Sequence, residues 1–314
     1  MANSYIAQAC AGRPSWMGRA APSSQPSEDT ALKIASFQHA GQATYGVLRG
    51  DDFLLPGDDF LRRHPDLRSV LAAQALPALA DATASGARAV RAADTRALPV
   101  IPQPGKIICV GLNYKTHVAE TRRADSEYPS LFLRFTDSLA AQGDEVLRPS
   151  FSERFDWEGE LAFVIGQGGR HIPKADAFEH IAGYACFNDI SVRDWQRHTH
   201  QFTPGKNFPG TAPFGPCLVT RDEVPDVARL TLETRLNGEV MQHASVGDLI
   251  FDIPTIVEYV SRFTPLSPGD VIATGTPGGV GDRREPPRYM KHGDTVEVEI
   301  TGLGILRNRI GTDA

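Results

Sequence analysis

The sequence predicts an α+β protein that is mostly β, with a few helices and two structural parts. Short runs rich in β-branched and aromatic residues, separated by Gly- and Pro-rich turns, recur along most of the chain. Only two stretches have a clear helical pattern. With 314 residues, 41% of them hydrophobic, the chain is long enough to build a sizeable core.

The composition divides the chain into three segments. Residues 1–30 are rich in Ala, Ser, Gly and Pro and lack periodicity, which predicts a disordered extension. Residues 31–96 alternate β-prone runs with turns and contain one predicted helix at 66–82, weakened at Pro77, so they predict a small N-terminal α/β domain. The stiff segment 97–106, with three prolines, opens the larger domain of residues 97–314.

Local signals place several elements in the larger domain. Asn237-Gly238 between two alternating runs predicts a type I′ hairpin. The run 295–300 alternates apolar and polar residues, which predicts a strand with one buried face and one wet face. Asp252, followed by a proline in the first turn, predicts the start of a helix over "IPTIVEYVSRF".

Composition also excludes whole classes of function. The 32 Lys and Arg residues are outnumbered by 38 Asp and Glu and form no run, so we expect no nucleic-acid partner. No apolar stretch approaches the roughly 18 residues that span a bilayer, so we expect no membrane partner. Four separated cysteines, Cys10, Cys109, Cys186 and Cys217, predict reduced, structural thiols in a cytoplasmic protein.

Two glutamates at the start of an apolar run, "FDWEGELAFVIG", raise the main functional question. Glu158 and Glu160 flank one glycine, so on a strand both side chains point to the same face, where like charges repel unless a cation lies between them. A solvent-facing stripe is the alternative, and Glu297 with Glu299 fits that alternative. A third acid, Asp189, ends another apolar run, and three carboxylates favour a hard cation such as Mg²⁺, Mn²⁺ or Ca²⁺. Its neighbour Asp194 is interpreted as a structural acid paired with Arg193.

Seven ordered stretches resemble the signature segments of the fumarylacetoacetate hydrolase superfamily, in its bacterial two-domain type. They are "KIICVGLNYKTHVAET", "FDWEGELAFVIG", "GYACFNDISVRDWQ", "PGKNF", "FGPCLVT", "LNGEVMQ" and "GDVIATGTPGGVG". The resemblance implies a β-roll catalytic domain, usually dimeric, with Mg²⁺ or Mn²⁺ held by Glu158, Glu160 and Asp189. Where the namesake of the family has a fourth acid, this chain has Val110, which implies the three-ligand branch.

The same resemblance implies roles for further residues. His117 and Glu120 match the catalytic pair, on a segment that closes over substrate in relatives and is expected to be mobile without it. Lys206 matches a catalytic lysine beside the metal, and Gln196 and Thr276 match positions that contact substrate. Arg134 is predicted to bind a substrate anion, with a structural ion pair as an equal alternative. For His198 and His200, substrate contact or exposure is favoured over metal ligation.

The expected function is metal-dependent hydrolysis of a C–C bond in a small 2,4-dioxo acid, through an enolate held by the metal. His117 with Glu120 would activate a water that attacks carbon 4. The alternatives on the same site are decarboxylation of an oxaloacetate-type acid, isomerisation or tautomerisation, and ureidoglycolate cleavage. A non-catalytic, metal-stabilised module is an alternative of a different class. A homodimer is expected from the resemblance.

Overall fold

A computed structural model describes residues 32–84, 87–121 and 126–313 of the chain. The predicted extension, residues 1–30, lies outside the described residues, as does Cys10.

The described residues form seven α-helices and nineteen strands, with short 3₁₀ turns between them. The helices are α1 (Asp58–Arg63), α2 (Leu67–Ala72), α3 (Leu76–Ala84), α4 (Lys115–Thr121), α5 (Arg193–Gln196), α6 (Thr203–Lys206) and α7 (Ile253–Phe263). The first strands are β1 (Lys33–His39), β2 (Gln42–Arg49), β3 (Asp52–Leu55), β4 (Arg88–Arg91), β5 (Arg96–Ala97), β6 (Ile107–Gly111), β7 (Ser130–Arg134), β8 (Leu139–Ala140), β9 (Glu145–Arg148) and β10 (Phe155–Asp156). The remaining strands are β11 (Gly159–Ile165), β12 (Ile181–Asn188), β13 (Ser191–Val192), β14 (Ala212–Thr220), β15 (Thr231–Leu236), β16 (Glu239–Ser245), β17 (Val271–Ala273), β18 (Thr295–Ile300) and β19 (Gly304–Thr312). The predicted class, mostly β with some helix, is confirmed.

Two large sheets form the architecture of the described residues. The larger has twelve strands in the order β4-β3-β2-β1-β14-β12-β11-β17-β6-β7, with β5 on β1 and β8 on β14. The smaller has five strands in the order β16-β15-β18-β19-β9, and β10 pairs with β13 separately. Leu161 of the larger sheet shares one buried cluster with Leu232 and Val298 of the smaller sheet. The two sheets therefore bury their apolar faces against each other.

The N-terminal strands continue the larger sheet. β1 runs antiparallel to β14, with Ile34 opposite Leu218. The sheet predicted within residues 31–96 is thus joined by backbone pairing to the strands of the larger segment. The division into a domain of residues 31–96 and a domain of residues 97–314 stays a prediction.

Two local predictions are confirmed. Asn237 and Gly238 both have positive φ, 53° and 82°, as the tight turn between β15 and β16 requires. Helix α7 starts after Asp252, whose side chain accepts the Thr255 N–H, and Pro254 lies in its first turn.

The single helix predicted over residues 66–82 is two helices. Helix α2 ends at Ala72 and α3 begins at Leu76, with Gln74 at φ 52° between them. Pro77 therefore lies in the first turn of α3, where its missing N–H costs nothing. The Gln74 amide donates to Leu71 and Gly166 carbonyls, which stabilises the break by a tertiary contact that the local pattern does not contain.

The predicted solvent-facing stripe at Glu297 and Glu299 is wrong for Glu297. Strand β18 is an inner strand, between β15 and β19, rather than an edge. Glu297 is 8% exposed and lies opposite Arg235 on one side and Arg307 on the other, and it pairs with both. Glu299, more exposed, also pairs with Arg235. Cross-strand arginines thus compensate the alternating acids.

Three cysteines, Cys109, Cys186 and Cys217, are buried and unbridged, as predicted for structural thiols. Burial raises the pKa of the Cys109 thiol well above its ordinary value, and the Asp189 and Glu160 charges add to the shift. None of the described helices combines the length and apolar character needed to cross a bilayer.

Candidate active site

A cavity of about 480 Å³ collects most of the residues predicted for the site. Those that line it are His117, Glu158, Glu160, Gln196, Lys206 and Thr276. Three predicted residues lie outside the lining: Asp189, Glu120 and Arg134. Asp189 contacts Lys206 and Glu120 contacts His117, both of which line the cavity, while Arg134 contacts Asp189. Val110, at the position of the fourth acid of the family's namesake, also lines the cavity.

The three predicted metal ligands converge. Oxygen atoms of Glu158, Glu160 and Asp189 lie within 4.8 Å of one another, and all three residues are buried. The pairing of β11 with β12 causes this, because Gly159 lies opposite Asn188 and the Asp189 N–H donates to the Glu158 carbonyl at 2.8 Å. We call Glu158, Glu160, Asp189 and Lys206 the cavity floor.

Gly159 separates the two glutamates for a steric reason. A Cβ at this position would lie 2.0 Å from Thr234 Oγ1 and 3.3 Å from the Val298 side chain. The strand therefore turns both carboxylates toward the cavity, while its other face packs directly on the smaller sheet. The alternation argument explains the shared face of the glutamates, and the packing of the second sheet explains the glycine.

Lys206 lies among the carboxylates. Its ammonium donates to Glu158 Oε2 at 2.7 Å, to Asp189 Oδ2 at 2.5 Å and to the Asp189 carbonyl at 3.0 Å. The residue is 1% exposed, and its ammonium lies 5.1 Å from the centre of the Phe132 ring. A buried ammonium with these partners is a fixed positive charge at the bottom of the cavity.

Arg134 holds Asp189 from the side opposite Lys206 and does not line the cavity. Its Nε donates to Asp189 Oδ1, and another nitrogen donates to the Ile190 carbonyl at 2.5 Å. Both side chains of the pair are fully buried. Of the two interpretations of Arg134, this placement matches the structural ion pair, and a direct contact with substrate anions would require the side chain to move.

The two glutamates have different electrostatic surroundings. Burial alone would raise the pKa of Glu158, but the Lys206 and Arg193 charges outweigh burial and hold that pKa well below its ordinary range. Glu160 accepts the Gly275 N–H at 2.8 Å and forms no ion pair within the described residues. Burial first, then the Asp189 and Glu158 charges, raise the pKa of Glu160. A divalent cation beside Glu160 would offset the free-energy cost of keeping this buried carboxylate charged.

The predicted pairing of Arg193 with Asp194 is wrong. Arg193 donates to Asp156 Oδ2 at 2.8 Å and contacts Glu158 Oε1 at 2.6 Å. Asp194 instead accepts the Ser152 hydroxyl at 2.8 Å. Helix α5 starts at Arg193 and points this side chain into the cavity, so adjacent residues of the sequence face opposite ways.

Arg193 and Asp156 are site residues that sequence reasoning missed. Asp156 is fully buried and accepts the Gly281 and Asp282 N–H groups at 2.8 and 2.9 Å besides the Arg193 guanidinium. It therefore ties the loop after β17 to the floor. The sequence feature that could have indicated Arg193 is the excess of acids in the motifs, because buried acids require cationic partners beyond Lys206.

His117 and Glu120 form the predicted pair on α4. His117 Nδ1 lies 2.6 Å from Glu120 Oε1, and Glu120 Oε2 accepts the Gly279 N–H at 2.9 Å. With the carboxylate accepting Nδ1–H, the lone pair of the ring is on Nε2. His117 lies within the described helix α4. Residues 122–125 lie outside the described residues. The mobility of the segment that carries His117 and Glu120 stays a prediction.

The remaining predicted residues lie on the cavity wall. Gln196 Oε1 accepts from Arg193 at 3.0 Å. The Thr276 hydroxyl donates to the Gly159 carbonyl at 2.9 Å. His200 lines the cavity, whereas His198 packs on Trp195 with ring centres 4.9 Å apart. Neither histidine belongs to the carboxylate cluster.

The floor fits a divalent cation. Three buried carboxylates offer hard oxygen donors within one small volume, and one of them, Glu160, has no cationic side chain bonded to it in the described part of the chain. Such a donor set suits Mg²⁺, Mn²⁺ or Ca²⁺ and suits zinc poorly.

The chain is similar in sequence to known proteins. The family model described as Fumarylacetoacetate (FAA) hydrolase C-terminal matches residues 106–311. The chain is 42% identical to the mitochondrial oxaloacetate tautomerase FAHD2A of Homo sapiens over 243 residues, which are 73% of this chain and 76% of that protein. It is 43% identical to the oxaloacetate tautomerase YisK of Bacillus subtilis, over 67% of this chain and 71% of that protein.

Solved structures are similar as well. A fumarylacetoacetate hydrolase from Exiguobacterium antarcticum superposes with a TM-score of 0.79 at 34% identity, covering 90% of this chain and all of the other. A maleylpyruvate hydrolase from Sphingobium superposes with a TM-score of 0.76 at 26% identity over the same shares.

Proposed function

We propose that this chain, which belongs to the fumarylacetoacetate hydrolase family, is an enzyme that interconverts the enol and keto forms of an oxaloacetate-type 2-oxo dicarboxylate. The curated relatives at 40 to 43% identity support this choice of reaction, since those reported above are named oxaloacetate tautomerases. A divalent cation, Mg²⁺ or Mn²⁺, is the proposed cofactor, with Ca²⁺ as a third option.

One observation carries the proposal. Three carboxylates converge within 4.8 Å at the bottom of a cavity whose wall presents His117, itself hydrogen-bonded to Glu120. A cation site and a proton carrier in one cavity are what an enolisation needs, because one stabilises negative charge on oxygen and the other moves the proton.

Glu158, Glu160 and Asp189 would hold the cation. When bound, the ion would supply Lewis-acid polarisation of the oxo-acid end of the substrate. Lys206 and Arg193 add two further positive charges beside the same carboxylates. They favour the negatively charged form of the reacting oxo acid over its neutral form.

The proton transfer is assigned to His117. Nε2 takes the proton from the C2 hydroxyl of the enol, the O–H electrons form the C2 carbonyl, and the C2=C3 π electrons take a proton at C3. His117 returns the proton there, so the ring ends as it began. Glu120 stabilises the protonated ring and fixes its orientation through the 2.6 Å contact. Gly279 holds Glu120 in turn.

Hydrolysis of a C–C bond in a 2,4-dioxo acid is the second candidate. The same His117–Glu120 pair is suited to take a proton from a water, which would add to carbon 4 before the C3–C4 bond breaks. The similar fold of a maleylpyruvate hydrolase supports this candidate. Both reactions share the floor, so products distinguish them.

A substrate panel tests the proposal. The purified chain with Mg²⁺ or Mn²⁺ is mixed with enol-oxaloacetate, an acylpyruvate, fumarylpyruvate and ureidoglycolate. Loss of the enol absorbance is followed together with products by mass. We expect fast, metal-dependent conversion of the oxaloacetate enol to its keto form without a change of mass. Cleavage of the acylpyruvate, with no acceleration of enol loss, would replace the tautomerase by the hydrolase.

Assembly and location are further proposals. We propose a homodimer, which light scattering of the purified chain tests, and a cytoplasmic location, which fractionation of the source cells tests. Two arginines with no acid before Glu28 give residues 1–27 a bias that transit peptides share, so recovery in an organelle fraction would contradict the cytoplasmic location.

A further inference from the structure

The geometry points to Arg283 as the residue that binds the second carboxylate of the substrate, and this inference rests on the proposed function. It names a specificity-determining residue at the wall of the cavity, apart from the floor. Arg197, Asp282 and Arg283 all line the same cavity as Lys206 and Glu158. We call these three residues the rim.

Asp282 has the most buried side chain of the three rim residues. Its side chain is 6% exposed and accepts the Tyr289 hydroxyl at 2.9 Å, and its backbone N–H donates to Asp156. Arg197 donates to its carboxylate at close range. Burial would raise the pKa of Asp282, but the Arg197 hydrogen bond and the Arg193 charge outweigh burial and lower it. Asp282 is therefore a charged group already compensated by Arg197.

Arg283 has a weaker contact with Asp282 than Arg197 has. Its Nε lies 3.6 Å from Asp282 Oδ2, longer than a hydrogen bond, and its side chain is 35% exposed. The rim thus places two guanidinium groups beside one carboxylate. In the described residues, the other Lys and Arg side chains of the cavity, Lys206, Arg193 and Arg197, each have a close acidic partner.

A substrate carboxylate is the partner that this arrangement favours. A guanidinium binds a carboxylate with two parallel N–H groups, which is stronger and more directional than a single contact. A 2-oxo acid gripped at the floor by its C1 end would direct its other end toward the cavity wall. A dicarboxylate then pairs with Arg283, whereas an acylpyruvate with a neutral tail leaves Arg283 unpaired.

The test compares two ligands that differ by the second carboxylate. Malate and lactate share the 2-hydroxy acid end, and only malate carries the distal carboxylate. Their Kd values for the Mg²⁺-loaded chain are measured by calorimetry, together with R283M and the matched control R262M. Arg262 lies on α7, is 65% exposed, pairs with Glu258 and does not line the cavity.

We expect wild type to bind malate more tightly than lactate. R283M should weaken malate about tenfold and change lactate less than about twofold, because one partly exposed charge-assisted contact is lost. R262M should change neither. The inference is overturned if wild type does not discriminate the ligands, or if R283M weakens both equally or neither.

These outcomes are separate from the fate of the proposed function. If the chain binds malate through Arg283 but does not convert the oxaloacetate enol, the tautomerase proposal fails and the dicarboxylate subsite stands. If the enol is converted but R283M leaves malate binding unchanged, the subsite fails and the tautomerase stands.

Discussion

The floor and the rim of one cavity handle charge in opposite ways. At the floor, Glu158, Glu160, Asp189 and Lys206 are at most 6% exposed, and their contacts leave little room for rearrangement. At the rim, Arg197 and Arg283 are 43% and 35% exposed. Removing one partner of a buried pair leaves a costly unpaired charge, whereas an exposed pair is worth little. The floor therefore tolerates little change, while the two half-exposed arginines of the rim, Arg197 and Arg283, can be substituted at little cost to the fold.

The largest expected effect is at the floor. Glu158→Gln removes a carboxylate that faces the proposed cation, Lys206 and Arg193 together. We expect metal affinity to fall at least about a hundredfold, since even residues that only support metal ligands are worth 10–100-fold, and metal-dependent turnover to be lost. Calorimetric Mn²⁺ titration of the chelator-treated chain and enol-conversion kinetics measure the two effects.

Glu239→Gln is the matched control for Glu158→Gln. Glu239 is 61% exposed and pairs with Arg288 at the surface, so the same change of charge should leave both measurements unchanged. Normal Mn²⁺ affinity in Glu158→Gln would show that the carboxylate cluster is not the cation site.

The next effect separates proton transfer from cation binding. His117→Ala removes the proton carrier but none of the three carboxylates. We expect kcat to fall about 10²–10⁴-fold while Mn²⁺ affinity stays within about twofold. His243→Ala, at a 64% exposed site on β16, is the control. Full activity of the His117 variant would refute the assignment of the base.

The floor was largely predictable from sequence, and its support was not. Alternation along a strand places Glu158 and Glu160 on one face, and the family motifs add Asp189 and Lys206. The partners of Arg193 could not be read locally, because Asp156 is 37 positions away and Asp194 is adjacent. The β10–β13 pairing and the start of α5 decide that the side chain of Arg193, rather than that of Asp194, turns toward the cavity.

Tertiary contacts explain the other differences. The break at Gln74 is held by a carbonyl 92 positions away, and the acids of β18 are compensated from two neighbouring strands. A local pattern specifies the element and its apolar face but not what the opposite face meets. The hairpin at Asn237-Gly238 and the start of α7 were predictable because their causes lie within four residues.

A smaller effect sharpens the contrast within the floor. The pKa of Glu160 is raised by burial and by its acidic neighbours, so the folded state holds this proton more tightly than the unfolded state. Its contribution to stability is full below the ordinary glutamate pKa and is lost as pH rises through the folded value. Without metal, Glu160→Gln should therefore become more stable than wild type as pH rises.

Melting curves against pH, in chelator and in Mg²⁺, check this prediction for Glu160→Gln. The advantage of the variant should disappear at acidic pH, and Mg²⁺ should raise the Tm of wild type only. A variant less stable than wild type at neutral pH in chelator would mean that Glu160 has a favourable partner in the metal-free protein.

The smallest effect belongs to the rim. Arg197→Met removes a 43% exposed partner of Asp282, while Arg283 and the Tyr289 hydroxyl still lie beside that carboxylate, so the free energy of unfolding in urea should fall by no more than about 1 kcal/mol. Ligand binding should still respond, because Asp282 loses Arg197 and then competes with substrate for Arg283, 3.6 Å away. We expect malate Kd to rise about threefold in Arg197→Met but not to rise further when Arg197→Met is added to R283M. This non-additivity, measured as a double-mutant cycle, separates a shared carboxylate from two independent anchors, since independent anchors would give additive losses.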